Sequence, residues 1–316
     1  MLKYFVIFAV LAIISYLYLK LAIKFKIIDK PNQRSSHTKS TIRGGGILFT
    51  IAIILFFFFN NFEYPYFFIG VLSIAIVSFL DDIYTLSSKV RFPFQILAIA
   101  LIMYQINIPF FPIYLFVLYF VMGVGIINMF NFMDGINGIT GLYSLATISG
   151  FYFINVNEQI INSEIVIYTV LSIIIFGFYN FRKKALFFAG DIGSISIGML
   201  IFFVGLYFTV KLNSPLILLL VIVYGADAGN TLLYRKFYTK ESVLEPHRHH
   251  IYQKLVDKKK VPHLQVSLIY TLLQLIVNFI VYKTYRLELT IQIYVFLVLV
   301  AVFMFLYIYG FKKLRA

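Results

Sequence analysis

Two adjacent carboxylates, Asp81 and Asp82, close an apolar run that ends Phe79-Leu80-Asp81-Asp82. Like charges side by side raise a pKa unless a cation neutralises them. A solvated helix end is the plain explanation, but the negative end of a helix dipole disfavours carboxylates. Helical neighbours point about 100° apart, so one carboxylate could face a metal ion and the other a substrate proton. A second group reads Asn128-Met-Phe-Asn131-Phe-Met-Asp134-Gly135-Ile-Asn137-Gly138. Asn128, Asn131 and Asp134 recur at every third position, which on a helix makes one polar stripe. Carboxamides with a carboxylate suit a sugar or nucleoside, which offers donors and acceptors. Hydrogen bonding between helices would explain the asparagines, and Asp134 less well.

A third group, Gly190-Asp191-Ile192-Gly193-Ser194, follows the basic Arg182-Lys183-Lys184 and opens an apolar run. Free N–H groups at a helix N-terminus bind anions. An aspartate beside them can hold Mg²⁺, which keeps several waters and binds one or two carboxylates plus phosphates. The alternative is an N-cap. A fourth group, Glu245-Pro246-His247-Arg248-His249-His250, holds three of the five histidines. Their spacing is not the helical i, i+4 pair of a zinc site, so a cationic cluster that grips phosphates is the better reading. The nearby Lys254, Lys258, Lys259 and Lys260 suit anionic lipid. A fifth stretch runs Asp29-Lys30-Pro31-Asn32, Arg34-Ser35-Ser36-His37 and Arg43-Gly44-Gly45-Gly46. There Arg43 could reach an anion while the glycines allow close helix packing.

The elements that position these groups are set by composition. Of 316 residues, 61% are hydrophobic and 13% charged, against about 25% charged in soluble domains. A soluble enzyme, a disordered tail and a water-exposed repeat array are excluded. The expectation is an all-α, polytopic membrane bundle of about 11 helices forming one domain over 1–316. Candidate spans lie near 2–23, 44–60, 66–82, 93–108, 110–128, 139–155, 162–180, 191–210, 214–234, 264–283 and 289–311, with a tight connection at Pro109 and Pro112. Without cysteine there is no disulfide or thiol nucleophile. The net charge of +14 sits in short loops, so it reads as topology and not as nucleic-acid binding. With the N-terminus outside and the C-terminus cytoplasmic, only Lys3, Lys211, Lys283 and Arg286 of the 27 basic residues fall outside, as the positive-inside rule requires. Glu63, Glu158, Glu164 and Glu288 then lie outside, while Asp81, Asp82, Asp134, Asp191 and Asp227 lie at cytoplasmic span ends, where ionisable groups are functional candidates. The cytoplasmic site loops fall near 24–43, 81–92, 128–138, 181–191 and 235–262. Carboxylates, a metal site and a His/Arg loop at one face form a toolkit for phosphoryl transfer between a soluble and a lipid partner. A transporter is the competing class, although its polar residues should lie near the midplane in related halves. A CDP-alcohol phosphotransferase would need several spaced acidic residues on paired helices, which are not seen.

At these residues the chain resembles the polyprenyl-phosphate N-acetylhexosamine-1-phosphate transferases. DKPNQRSSH and IRGGG, FLDD, NMFNFMDGINGI, FFAGDIGS and EPHRHHIYQKL occur in family order across residues 29–255. The arginine-glycine and histidine motifs look most like the branch that starts O-antigen or capsule chains. The resemblance implies transfer of sugar 1-phosphate from a UDP-N-acetylhexosamine to undecaprenyl phosphate, releasing UMP, with Mg²⁺ or alternatively Mn²⁺. It implies the first membrane step of a cell-surface glycan such as lipopolysaccharide, in a bacterial inner membrane, with the active site facing the cytoplasm. By position, Asp191 matches the metal-binding aspartate. Asp81 and Asp82 match the essential pair, one of which deprotonates or orients the lipid phosphate. Asn128, Asn131 and Asp134 fall in the nucleotide-pocket motif, Asn180 matches an asparagine contacting uracil, and Arg43 belongs with the substrate-binding set. His247, His249 and His250, with Arg248, match the motif that holds the diphosphate, His249 as its catalytic member. Asn137 stands where many members carry a second aspartate, and the spacing from Asn180 to Asp191 is one residue longer than usual. A homodimer is compatible with the family and is not legible in the residues.

Overall fold

The computed structural model describes residues 1–29, 40–239 and 248–315. Lys30, Pro31, Asn32, Arg34, Ser35, Ser36, His37, Glu245, Pro246 and His247 of the expected motifs lie outside the described residues. The helices are α1 (Leu2–Lys24), α2 (Ile47–Phe59), α3 (Pro65–Tyr84), α4 (Ser88–Gln105), α5 (Ile113–Met133), α6 (Ile139–Glu158), α7 (Ser163–Asn180), α8 (Gly190–Leu212), α9 (Ile222–Tyr238), α10 (Ile251–Asp257), α11 (His263–Thr284) and α12 (Leu289–Arg315). A short antiparallel ribbon pairs β1 (Ile28–Asp29) with β2 (Thr41–Ile42). Among the described residues nine helical segments are long and apolar enough to cross a membrane. The eleven expected spans all overlap helices, but α2 and α4 are not among these nine segments, so the count of eleven crossings is not reproduced. Helix α2 has only thirteen residues, and α4 starts at Ser88, bringing Lys89 and Arg91 into the helix. Hydropathy misplaced that start because the charged residues read as loop. The connection near Pro109 and Pro112 is present between α4 and α5.

Helix α8 is apolar on all sides, and such a helix belongs in the interior. It is buried along most of its length and packs against α2, α3 and α5. By contrast α1, α5 and α12 keep most of their apolar surface on the outside of the bundle, where lipid is the matching solvent. The span expected at 214–234 is broken: a 3₁₀ helix, Pro215–Val221, precedes α9. Backbone groups freed inside a bilayer must find partners. Here Gln274 Nε2 donates to Leu219 O at 3.0 Å and its Oε1 accepts from Val223 N at 3.3 Å, while Tyr143 Oη accepts from Tyr224 N at 3.2 Å.

The bundle has two polar ends. At one, Lys3 pairs with Glu164 at 3.0 Å and Arg286 with Glu158 at 2.7 Å, and Asn162 Nδ2 donates to Glu63 at 3.0 Å. Helix α3 starts beside this end and carries Asp81 and Asp82 to the other.

Candidate active site

The second end is assembled where three chain segments touch. Gly45 N donates to Phe188 O at 2.8 Å, Gly46 N to Ala189 O at 3.0 Å, and Phe188 N to Ile42 O at 2.8 Å. This lacing sets the Arg43 segment against the turn before α8. The approach needs glycine: a Cβ on Gly193 would lie 2.6 Å from Gly46 Cα. Gly190 has φ +72° and leaves no space, since a Cβ there would lie 2.5 Å from Asp82 Oδ2 and 2.7 Å from Gly44 N.

The two aspartates at the end of α3 diverge, as helical neighbours should. Asp82 is fully buried and turns to α8: its Oδ1 accepts from Asp191 N at 2.9 Å and its Oδ2 from Ile192 N at 3.2 Å. The N-terminus of α8 is therefore not a free anion site and Asp191 is not its cap; Asp82 caps it from another helix. Asp81 turns to the start of α4, accepting from Leu86 N at 2.5 Å and from Arg91 Nη1 at 2.7 Å. Two arginines tie the carboxylates together. Arg43 reaches Asp82 with Nε at 2.7 Å and Asp191 with Nη2 at 3.0 Å. Arg91 Nη1 reaches Asp191 Oδ2 at 2.5 Å as well as Asp81. Burial alone would weaken the charge on Arg43, but Asp82 and Asp191 outweigh it and push its pKa above the ordinary guanidinium value.

Arg91 was not singled out by its motif, and it is the residue that joins Asp81 to Asp191. The available signal was a basic residue ten positions after Asp81. Three carboxylates against two guanidiniums leave one net negative charge on hard oxygen donors. Two of those oxygens, from Asp81 and Asp191, converge on a single cationic nitrogen. Such a donor set fits a hard divalent cation, with Asp191 and Asp81 as its holders. Among the described residues no group of three His, Asp or Glu side chains is already placed as a metal cage.

The polar stripe is helical to Met133, with Asp134 at the C-cap. Its members fan out to three helices. Asn128 Nδ2 donates to Gln95 Oε1 of α4 at 3.2 Å, Asn131 Nδ2 to Ser194 Oγ of α8 at 3.2 Å, and Asp134 accepts from Thr140 Oγ1 of α6 at 2.5 Å. Burial pushes the Asp134 carboxyl up to about 7; nearby Asp191 adds to the rise while Thr140 and Arg43 oppose it. Asn180 is committed to the backbone: its Oδ1 accepts from Gly138 N and its Nδ2 donates to Phe187 O, both at 2.7 Å. Asn137 Nδ2 donates to Arg182 O at 3.0 Å and Lys183 O at 3.3 Å. A carboxylate at that position would face two carbonyls with no hydrogen to give, which explains asparagine in place of the expected aspartate.

The histidine segment docks beside this stripe. Tyr252 of α10 donates to Phe132 O at 3.0 Å and lies against Gly135. Arg248 is held bidentately by Asp257, Nε to Oδ2 at 2.9 Å and Nη2 to Oδ1 at 2.7 Å. His249 stands edge-on to the Tyr234 ring, with centroids 5.8 Å apart. His250 is buried against Asp227.

Carboxylates, guanidiniums and imidazoles thus lie toward one end of a bundle whose helices are of membrane-spanning length, an arrangement whose chemistry suits anionic ligands. Residues 64–209 match glycosyl transferase family 4, a segment that holds Asp81, Asp82, Arg91, Asp134 and Asp191. The chain is also 26% identical over 282 residues to the probable undecaprenyl-phosphate N-acetylglucosaminyl 1-phosphate transferase of Bacillus subtilis (strain 168), covering 82% of this chain and 77% of that protein. The match to glycosyl transferase family 4 covers just under half of the chain and contains the whole carboxylate and Arg91 cluster.

Proposed function

We propose that the protein transfers an N-acetylhexosamine 1-phosphate from a UDP-sugar to undecaprenyl phosphate and releases UMP, at the cytoplasmic face of a bacterial inner membrane. The observation that carries this reading is the convergence of Asp81, Asp82 and Asp191 on Arg43 and Arg91 at one end of the bundle. The lopsided distribution of basic residues supports the orientation. An oxygen of the lipid phosphate attacks the β-phosphorus of the UDP-sugar. A new P–O bond forms, the bond to the bridging oxygen breaks, and UMP leaves with that oxygen. Asp82 is committed to the α8 N-terminus, so Asp81 is the member of the pair that orients or deprotonates the lipid phosphate. Arg43 and Arg91 stabilise charge spread over the transferring group. Asn128, Asn131 and Asp134 line the nucleoside side, with Asn180 fixing the turn behind them. His249, with His247, Arg248 and His250, holds the diphosphate. Mg²⁺, or Mn²⁺ in its place, held by Asp191 and Asp81, would supply Lewis-acid neutralisation of the pyrophosphate. Two prominent mid-bundle polar groups, Gln274 and Tyr143, are committed to the backbone break and lend the transporter alternative no support.

The test is UMP release by the full chain in detergent, with undecaprenyl phosphate, Mg²⁺ and a panel of UDP-N-acetylhexosamines. Release that needs both lipid and Mg²⁺ ranks the donors. A folded protein that releases no UMP with any donor would overturn the reading.

A further inference from the structure

Asp227 belongs to none of the groups assigned above, yet it is among the most heavily hydrogen-bonded carboxylates in the described residues. Its side chain is 3% exposed. Oδ1 meets His250 Nδ1 at 3.3 Å, accepts from Ile251 N at 3.0 Å and from Thr231 Oγ1 at 3.3 Å. Oδ2 accepts from Tyr252 N at 3.3 Å and from Tyr270 Oη at 2.6 Å. Donors thus reach it from its own helix, from α11 and from the start of α10.

An ordinary N-cap comes from the residue just before its helix and satisfies an orphan N–H. This one comes from α9, more than twenty residues earlier in the chain, and takes two backbone N–H groups of α10 together with an imidazole nitrogen. Helix α9 also supplies Tyr234, against which His249 packs. A carboxylate on one ring nitrogen fixes the tautomer and orientation of an imidazole and so decides what its other nitrogen presents. The same grip sets Tyr252, which carries the link to Phe132 O beside Asp134.

We propose that Asp227 is the positioning residue of the histidine segment: it holds the His250 ring and the start of α10 in the geometry that lets this segment grip the diphosphate of the nucleotide sugar. The inference rests on the transfer reading above. Asp227 acts through His250 and α10 and does not itself touch substrate.

The experiment uses the full chain in detergent with UDP-N-acetylglucosamine, undecaprenyl phosphate and Mg²⁺, comparing wild type with Asp227→Asn and Tyr270→Phe. Asp227→Asn keeps the shape and removes the charge and one acceptor oxygen. Its KM for the UDP-sugar is expected to rise tenfold or more, with the KM for the lipid changed by less than twofold. Tyr270→Phe removes one hydrogen bond into the carboxylate, leaves the backbone contacts, and is expected to raise the same KM about threefold. A merely structural role would lower active enzyme without shifting one KM selectively. Uniform ¹⁵N-histidine labelling, with the His250 signal assigned by His250→Gln, gives a readout independent of turnover. Nδ1 of His250 should be the protonated nitrogen in wild type, and that signature should be lost in Asp227→Asn. A folded Asp227→Asn with an unchanged KM for the UDP-sugar, or an unchanged His250 spectrum, overturns the proposal. A wild type inert with every donor but showing the wild-type His250 signature overturns the transfer reading and leaves the Asp227–His250 pairing supported.

Discussion

Adjacent aspartates at the end of α3 should fail in different ways when each is made an asparagine. Asp82→Asn keeps one acceptor oxygen, which can serve Asp191 N and Arg43 Nε. The new amide then points its hydrogens at the Ile192 N–H, donor against donor. Losing a hydrogen bond to a charged acceptor costs about 1.5–3 kcal/mol, and stranding a buried donor about 1–3 kcal/mol. A total of about 3–5 kcal/mol agrees with the usual cost of breaking a buried charged pair. Asp81→Asn can keep its oxygen on Leu86 N, and Arg91, which is partly exposed, keeps Asp191. Only the Arg91 hydrogen bond is lost, and because Arg91 is partly exposed water can take its place, so the cost is about 1 kcal/mol. At about 2 °C per kcal/mol, a figure suited to large chains, Asp82→Asn should lower the apparent melting temperature by about 6–10 °C and Asp81→Asn by about 2 °C. The assay is far-ultraviolet circular dichroism in one detergent at one scan rate, because unfolding of such a protein is kinetically governed. UMP release from the same samples at a temperature where both are folded completes it, with Asp81→Asn expected to lose at least about a hundredfold. Equal melting shifts for the two variants, or a larger shift for Asp81→Asn, would refute the division of roles.

Asp191→Asn should abolish Mg²⁺-dependent UMP release by about two orders of magnitude or more while leaving the helix content intact; near-normal turnover would remove Asp191 from the site. Asn137→Asp loses both donors to the 182–183 carbonyls and sets a carboxylate against them, so a loss of about 2–3 kcal/mol should appear as a lower melting temperature and faster proteolysis of the basic loop. Asp134 holds its proton in the folded protein up to about 7, against an ordinary value of 3.8. The native state thus binds more protons than the unfolded chain in that window, and stability falls as pH rises through it, with a slope of up to about 1.4 kcal/mol per pH unit. Asp134→Asn should flatten that fall, and identical pH profiles for variant and wild type would sink the assignment.

The bundle was legible because long apolar runs have few alternatives, and the acidic candidates because polar residues at span ends are costly to keep there. What was not legible is what spacing does not encode. Arg91 and Asp191 are one hundred positions apart, and nothing local marks the arginine as more than a topology charge. Asp82 as a cap for α8 joins residues 109 apart, and a cap is ordinarily sought beside its own helix. The commitments of Asn180 and Asn137 were hidden because their partners are backbone carbonyls and an N–H group, which leave no trace in side-chain types. The break before α9 was missed because Pro215–Val221 is as apolar as any helix, and its compensation sits in Gln274 and Tyr143 on other helices.

The arrangement around α8 also explains why the sequence needs two aspartates at residues 81 and 82 rather than one. An acidic residue in the first turn of a helix is drawn to its free N–H groups, and Asp191 sits in that turn. Had no other group taken those donors, the Asp191 carboxylate would fold back onto its own backbone and be lost to chemistry. Asp82 occupies both positions from α3, and the absence of a Cβ at Gly190 makes room for its oxygen. Asp191 is thereby freed to extend toward Arg43 and Arg91, in line with Asp81. The second aspartate of the pair does its work by releasing a third, so removing Asp82 should change where Asp191 points as well as how firmly α8 is held.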